Sequence, residues 1–175
     1  MADPWDGLAI APLAKKHQRS TFACGKSEID DFLKKHARQN DDKGISKTFA
    51  LTEQSAPDVV VGYYSVRFGQ VSCEQLPEAE LKGLPRYPVP TFHLARMGVD
   101  KAFKDRNPAK RAGELLLFHS FRKAVRMADE AGLFAYDVIA VDEDAAGFYR
   151  KYQFQPLLDQ PLHMFLPLTT LRKLV

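Results

Sequence analysis

Five cations crowd one stretch near the middle of the chain: Lys101, Lys104, Arg106, Lys110 and Arg111. Before them, Leu94, Met97 and Val99 are apolar residues of strand type. After them, Leu115, Leu116, Phe118, Phe121 and Ala124 recur at helical spacing. Residues 91–124 therefore read as a buried strand, a basic loop and an amphipathic helix. The first N–H groups of a helix lack partners within it, and the helix dipole favours negative charge there. A basic loop opening a helix is thus an anion cradle, suited to a phosphorylated cofactor. A solvated connection would also be basic, and this stretch alone does not separate the two readings. Elsewhere the chemistry is sparse. Cys24 has no His/Asn arrangement to make it a nucleophile and reads as a buried structural residue. His36 reads as a histidine packed on or beside the apolar face of a helix.

Residues 8–13 form a short apolar run, expected as an edge strand. Ser27 with Asp30 resembles a capping box, and Ile29, Phe32, Leu33, His36 and Ala37 then line one helical face. Residues 47–52 and the longer run 58–71 read as strands, the latter beginning at Val59-Val60-Val61. From 73 to 90 the chain is a connection in which Pro88 and Pro90 oppose regular pairing. Residues 133–141 give another strand. Asp142 is placed to cap a late helix whose face carries Ala145, Phe148, Tyr149 and Tyr152, and residues 163–166 give a last strand closed by Pro167. Strands with an early, a middle and a late helix imply an α/β or α+β layered fold.

The bulk numbers narrow the class. A chain of 175 residues suits a single domain spanning 1–175. Its 45% hydrophobic and 27% charged content is that of an ordinary globular protein, not a disordered or fibrous one. A net charge of +3 is compatible with an anionic cofactor or nucleic acid and demands neither. Cys24 and Cys73 supply neither a disulfide framework nor metal-ligand spacing, so no metal and a cytoplasmic location are expected. MADPWDG lacks a basic region followed by an apolar one, so it does not read as a signal peptide, and no apolar run is long enough to suggest a membrane-spanning helix.

Four segments together resemble the GNAT superfamily of N-acetyltransferases, and within it the branch that acts as toxins of bacterial toxin–antitoxin pairs. They are FACGKSEIDDFLKKHARQ, VVGYYSV, LPRYPVPTFHLARMGVD and VIAVDEDAAGFYRKYQF, in the family's order and covering most of the chain. The resemblance implies a GNAT fold, a twisted mixed sheet splayed at its fourth and fifth strands, with acetyl-CoA as acetyl donor. It puts Met97, Gly98 and Val99 beside the thioester, where a backbone N–H could polarise the carbonyl. It puts Arg106, Lys110, Arg111, Ala112, Gly113 and Glu114 around the pyrophosphate. One departure stands out: the family loop reads Gln/Arg-x-x-Gly-x-Gly/Ala, whereas here Pro108 and Arg111 occupy its first two defined positions and only Gly113 fits. The loop is also about four residues longer than the family's. A side chain at Arg111 could crowd the phosphates, or Arg106, Lys110 and Arg111 could compensate by charge-assisted contacts.

Acetyl transfer to an amine needs an unprotonated amine, a stabilised oxyanion and a proton for the departing thiolate. The resemblance makes Tyr149 the proton donor; read without it, Tyr149 simply packs a helix. No general base stands out among His93, Asp142 and Glu143, and an ordered water would suffice. The toxin branch acetylates aminoacyl-tRNA and so blocks translation, for which Arg38, Lys43, Lys47, Arg86 and Arg96 are candidate contacts. It further implies a ribbon–helix–helix antitoxin over the active site and a possible homodimer. Two other functions compete: acetylation of a small amine or a protein N-terminus, and a non-catalytic GNAT-fold binding module.

Overall fold

The computed structural model describes residues 3–175. Its elements run β1 (Leu8–Pro12), α1 (Ser27–Asp31), a π-helical turn (Phe32–His36), α2 (Ala37–Asp42), β2 (Lys47–Glu53) and β3 (Gly62–Val71). There follow a 3-10 turn (Cys73–Gln75), α3 (Glu78–Leu81), β4 (Val89–Val99), α4 (Lys101–Arg106), a 3-10 turn (Pro108–Lys110) and α5 (Ala112–Glu130). The chain ends with β5 (Ala135–Ile139), α6 (Glu143–Arg150), β6 (Gln155–Leu157), β7 (Gln160–Pro167) and α7 (Leu168–Leu174). The strands make one seven-stranded mixed sheet, ordered β1-β2-β3-β4-β5-β7-β6 and flanked by helices. β4 and β5 run parallel and pair over Thr91–Leu94 and Ala135–Val138 only, although β4 continues to Val99. Parallel neighbours need a long crossover, which α5 provides.

The chain forms two compact units, Met1–Arg67 with Ala95–Ser120, and Phe68–Leu94 with Phe121–Val175. The first has a core of Phe22, Ile29, Leu33, Ala50, Val60 and Tyr63. The Tyr63 hydroxyl donates to the Ile29 carbonyl at 2.6 Å, which satisfies a buried phenol and fixes α1 on the strands. In the second, Val71, Leu76, Val89, Ala135, Leu157 and Phe165 form one cluster. An aromatic group forms another: Tyr136 meets Phe92 at 5.8 Å, Phe121 at 5.0 Å and Phe154 at 5.8 Å.

Several local expectations need correction, each for a physical reason. Ser27 does not cap α1: it is the first helical residue, and Lys26 holds the cap position. Asp30 instead accepts from the Cys24 N–H at 2.8 Å, where Gly25 turns the chain at φ +92°. His36 is exposed, not packed. The π-helical turn, in which the Ala37 N–H reaches back to the Phe32 carbonyl, changes the helical phase and keeps Leu33 and Ala37 inside. The run Val59-Val60-Val61 precedes β3 instead of opening it. Val59 only bridges to Gln18, and Val60 and Val61 are apolar because they are buried. Pro90 lies inside β4, where its carbonyl accepts from the Phe134 N–H at 2.9 Å. Near a strand start a proline forfeits only a donor. Pro167 closes the last strand, as expected, and also holds the N-cap position of α7; the short strand β6 carries no alternating signal, because Gln155 and Pro156 precede Leu157.

Candidate active site

Tyr149 is set by the helix that carries it. Asp142 caps α6, its Oδ1 accepting from the Ala145 N–H at 2.9 Å, and Glu143 and Asp144 suit the positive end of the helix dipole. Glu143 also pairs with Arg150. Asp142 and Glu143 thus have structural roles. Ala146 and Tyr149 are the residues that α6 buries. The Tyr149 ring lies 5.3 Å from Phe148 and 5.4 Å from Phe154, and the residue is 6% exposed. Its hydroxyl bonds to no described residue, yet it is not sealed from solvent. Burial pushes the phenol above its ordinary range, so it holds its proton at neutral pH.

The predicted cofactor strand and loop belong to the other unit. Met97, Gly98 and Val99 are half-buried at the end of β4. A Cβ on Gly98 would stand 2.8 Å from Ile29 Cγ2 and 3.4 Å from Cys24 Sγ, so α1 needs a glycine there. Burial and Asp30 push the Cys24 thiol up to about 11, which suits a structural residue and not a nucleophile. The basic loop is not a loop throughout. Asp100 caps α4 by accepting from the Phe103 N–H at 3.0 Å, and Phe103 is fully buried. Lys101–Arg106 of the expected loop are helical.

Arg111, where the family pattern has glycine, sits at φ 44°, ψ 50°, in the left-handed region. Its carbonyl accepts from the Glu114 and Leu115 N–H groups at 3.0 and 3.2 Å and so starts α5. The backbone keeps a glycine-type turn although the residue is not glycine. The cations there are each held by a neighbour: Arg106 by Glu53 at 4.0 Å, Lys110 by the Asp6 carbonyl at 2.5 Å, and Arg111 by Glu114 at 3.3 Å. Ala112 is buried, while Gly113 and Glu114 are half-buried. The first turn of this 19-residue helix, with exposed Arg106 and Arg111 side chains ahead of it, fits a pyrophosphate.

The proposed substrate cations are dispersed. Lys47 is bonded to Asp41 at 2.8 Å, Lys43 is exposed, and Arg38 is half-buried near Arg19. Arg96 lies 5.3 Å above the Phe32 ring and 3.3 Å from Glu28, a stacked and paired arrangement. Arg86 is exposed and lies in the second unit. No group of three His, Cys, Asp or Glu residues suited to a metal occurs among the described residues.

One polar cluster was missed in the sequence. Asp137 is 2% exposed on β5, and its Oδ2 accepts from His93 Nδ1 at 2.9 Å and His163 Nε2 at 2.7 Å. Desolvation would raise the carboxyl, but bonds from His163 and His93, with help from Thr91, prevail and hold it at about 2. The signal available was a charged residue between Tyr136 and Val138 in an otherwise apolar strand.

Comparison with known proteins then decides the family. A probable toxin TacT from Sinorhizobium fredii is 28% identical, covering 95% of this chain and 94% of its own length. A tRNA-acetylating toxin from Mycobacterium tuberculosis is 31% identical over 156 residues, 89% of each chain. The chain belongs to the GNAT family of tRNA-acetylating toxins. The scan against models of protein families finds none that matches. Among solved structures of the family, a tyrosine-to-phenylalanine variant of KacT superposes with a TM-score of 0.89 at 25% identity, over 97% of this chain and 100% of that one. AtaT complexed with acetyl-methionyl-tRNAfMet gives 0.85 at 22% identity, over 95% and 98%. The fold of these GNAT toxins is therefore that of the present chain.

Proposed function

We propose that this chain transfers the acetyl group of acetyl-CoA to the amino group of an aminoacyl-tRNA, acting in the cytoplasm as the toxin of a toxin–antitoxin pair, with residues 1–175 working as one acetyltransferase domain. The observation that carries the mechanism is Tyr149: a buried ring on a capped helix, its hydroxyl protonated and unbonded to any described residue. A phenol so placed keeps its proton at neutral pH and passes it to the sulfur as the C–S bond breaks, since the same dry surroundings disfavour a free thiolate. Met97, Gly98 and Val99 hold the pantetheine arm through their backbone, and an N–H there polarises the thioester carbonyl. Arg106, Lys110, Arg111 and the first turn of α5, from Ala112 to Glu114, hold the pyrophosphate, with the cations exchanging their present partners for phosphate oxygens. Arg38, Lys43, Lys47, Arg86 and Arg96 contact the tRNA backbone, so binding weakens as salt rises.

Relatives support the assignment of donor, acceptor and partner: AtaTR has been solved with acetyl-CoA, AtaT with acetyl-methionyl-tRNAfMet, and an AtaT variant with the C-terminus of the antitoxin AtaR. The partner proposed here is a ribbon–helix–helix antitoxin that covers the active site, and the toxin itself forms a homodimer. The test is transfer of labelled acetyl from acetyl-CoA to charged tRNA, with the label lost in Tyr149→Phe. Labelling of free amines but not of charged tRNA would reject the substrate assignment. Absence of saturable acetyl-CoA binding at millimolar concentration would reject the enzyme.

A further inference from the structure

The reaction needs a base for the incoming ammonium, and the cluster around Asp137 contains a histidine with one ring nitrogen bonded to a carboxylate and the other unbonded among the described residues. The β4–β5 register sets His93 against Asp137, and β5–β7 sets Ile139 against His163. Tyr136 packs on Phe92 beside it and on Phe121 of α5, so His93 and Asp137, one residue along each strand, lie on the opposite sheet face. The cluster occupies the last rungs of the β4–β5 ladder, which ends at Leu94 and Val138. Asp137 on β5 and His163 on β7 are the titratable groups bonded within it; Gln160 lies 3.2 Å from His163 Nδ1, and Thr91 stands beside the carboxylate.

The two histidines differ. His163 has both ring nitrogens engaged, one by Asp137 and one by Gln160. His93 gives only Nδ1 to Asp137. Its Nε2 bonds to no described residue, and it is not among the buried atoms that lack a partner, so it meets solvent despite the residue being 7% exposed. A carboxylate that accepts from Nδ1–H fixes the tautomer, leaves the Nε2 lone pair free and stabilises the imidazolium formed when that lone pair takes a proton.

On the acetyl-transfer reading, we infer that His93 is the general base that deprotonates the acceptor ammonium, with Asp137 as its positioning residue and His163 anchoring Asp137. Nε2 takes one proton from the ammonium. The freed nitrogen lone pair forms the C–N bond to the acetyl carbon, and the C–S bond breaks. The sulfur leaves with the Tyr149 proton, and the second proton lost by the nitrogen restores the phenol. The proton on His93 returns to solvent.

The experiment measures acetylation of charged tRNA across pH 6 to 9 by the full chain and by His93→Gln, with acetyl-CoA binding measured by calorimetry. The exposed His36→Gln serves as control. His93→Gln is expected to lose about 100-fold in kcat/KM at neutral pH, with unchanged acetyl-CoA affinity. The deficit should shrink toward pH 9, where the amine deprotonates itself. Should His93→Gln fail to fold, Asp137→Asn takes its place and should show the same pH-dependent deficit at smaller size. An active wild type with an equally active variant, or a deficit that is constant with pH, overturns the inference alone. A wild type that labels no charged tRNA overturns the acetyl-transfer reading and this inference with it.

Discussion

The start of α5 and the end of α6 solve opposite problems. Around Arg111 the chain presents exposed cations, each resting on a neighbour, and a backbone turn that a non-glycine residue holds in the left-handed region. Around Tyr149 it presents one polar atom in an aromatic wall, on a helix whose cap is satisfied. Binding an anion needs charge that water can reach and that can change partners. Holding a proton for a thiolate needs a group with almost no water around it. The first region can therefore drift in sequence as long as charge and backbone shape persist. The second depends on packing that a single change disturbs.

The sharpest way to break this comparison is to exchange the expected failures. Tyr149→Phe should lower kcat by about 10²- to 10⁴-fold, the usual range for a proton-transfer group, with acetyl-CoA affinity unchanged by calorimetry. Replacing Arg106, Lys110 and Arg111 together by alanine should do the reverse. Acetyl-CoA affinity should fall by about 100-fold, as the loss of charge-assisted contacts implies, with kcat at saturation nearly intact. If the triple variant instead lost kcat at saturating donor, the loop would be part of the chemistry and the contrast would fail.

A second comparison concerns acid. Asp137 is held at about 2, below the ordinary carboxylate, so it stabilises the fold above about pH 4 and that stabilisation is lost as pH falls toward about 2. The contribution is about 2 kcal/mol, one to two pKa units at 1.36 kcal/mol each. Urea unfolding between pH 5 and 2 should show this slope in the wild type and lack it in Asp137→Asn. Gly98→Ala probes the other unit, since its new Cβ would stand 2.8 Å from Ile29 Cγ2. Overpacking of this kind costs about 1–3 kcal/mol, read as a lower urea midpoint with the slope retained.

How much of this was legible in the sequence follows from the range of each interaction. Most of the strands and α5 announce themselves through periodicity, β6 excepted, and the cap at Asp142 is a local bond between neighbours in the chain. The role proposed for Tyr149 rests on the resemblance of its segment, because a tyrosine on a helical face looks the same in sequence whether it packs or donates a proton. The His93–Asp137–His163 cluster was not legible: the residues lie far apart in sequence, and only the registers of β4, β5 and β7 bring them together. His36 misled because a π-helical turn leaves no residue-type signature yet rotates every side chain after it. The helix α4 inside the basic stretch was hidden by its charges; Phe103 was the buried residue that gave it a core contact.

The smallest effect separates two accounts of Arg111. A non-glycine residue in the left-handed region costs about 1 kcal/mol or more, and glycine relieves it. The exposed Arg111–Glu114 pair returns only a few tenths of a kcal/mol. Arg111→Gly should therefore raise stability by about 1 kcal/mol, seen as a higher urea midpoint. If the arginine compensates for the family's missing loop residues by its charge, the same variant should weaken acetyl-CoA binding, by less than tenfold because Arg106 and Lys110 remain. If the side chain instead crowds the phosphates, affinity should rise along with stability. The two accounts predict opposite signs for one dissociation constant, and the left-handed turn at φ 44° makes the experiment clean, because glycine adopts the same backbone without strain.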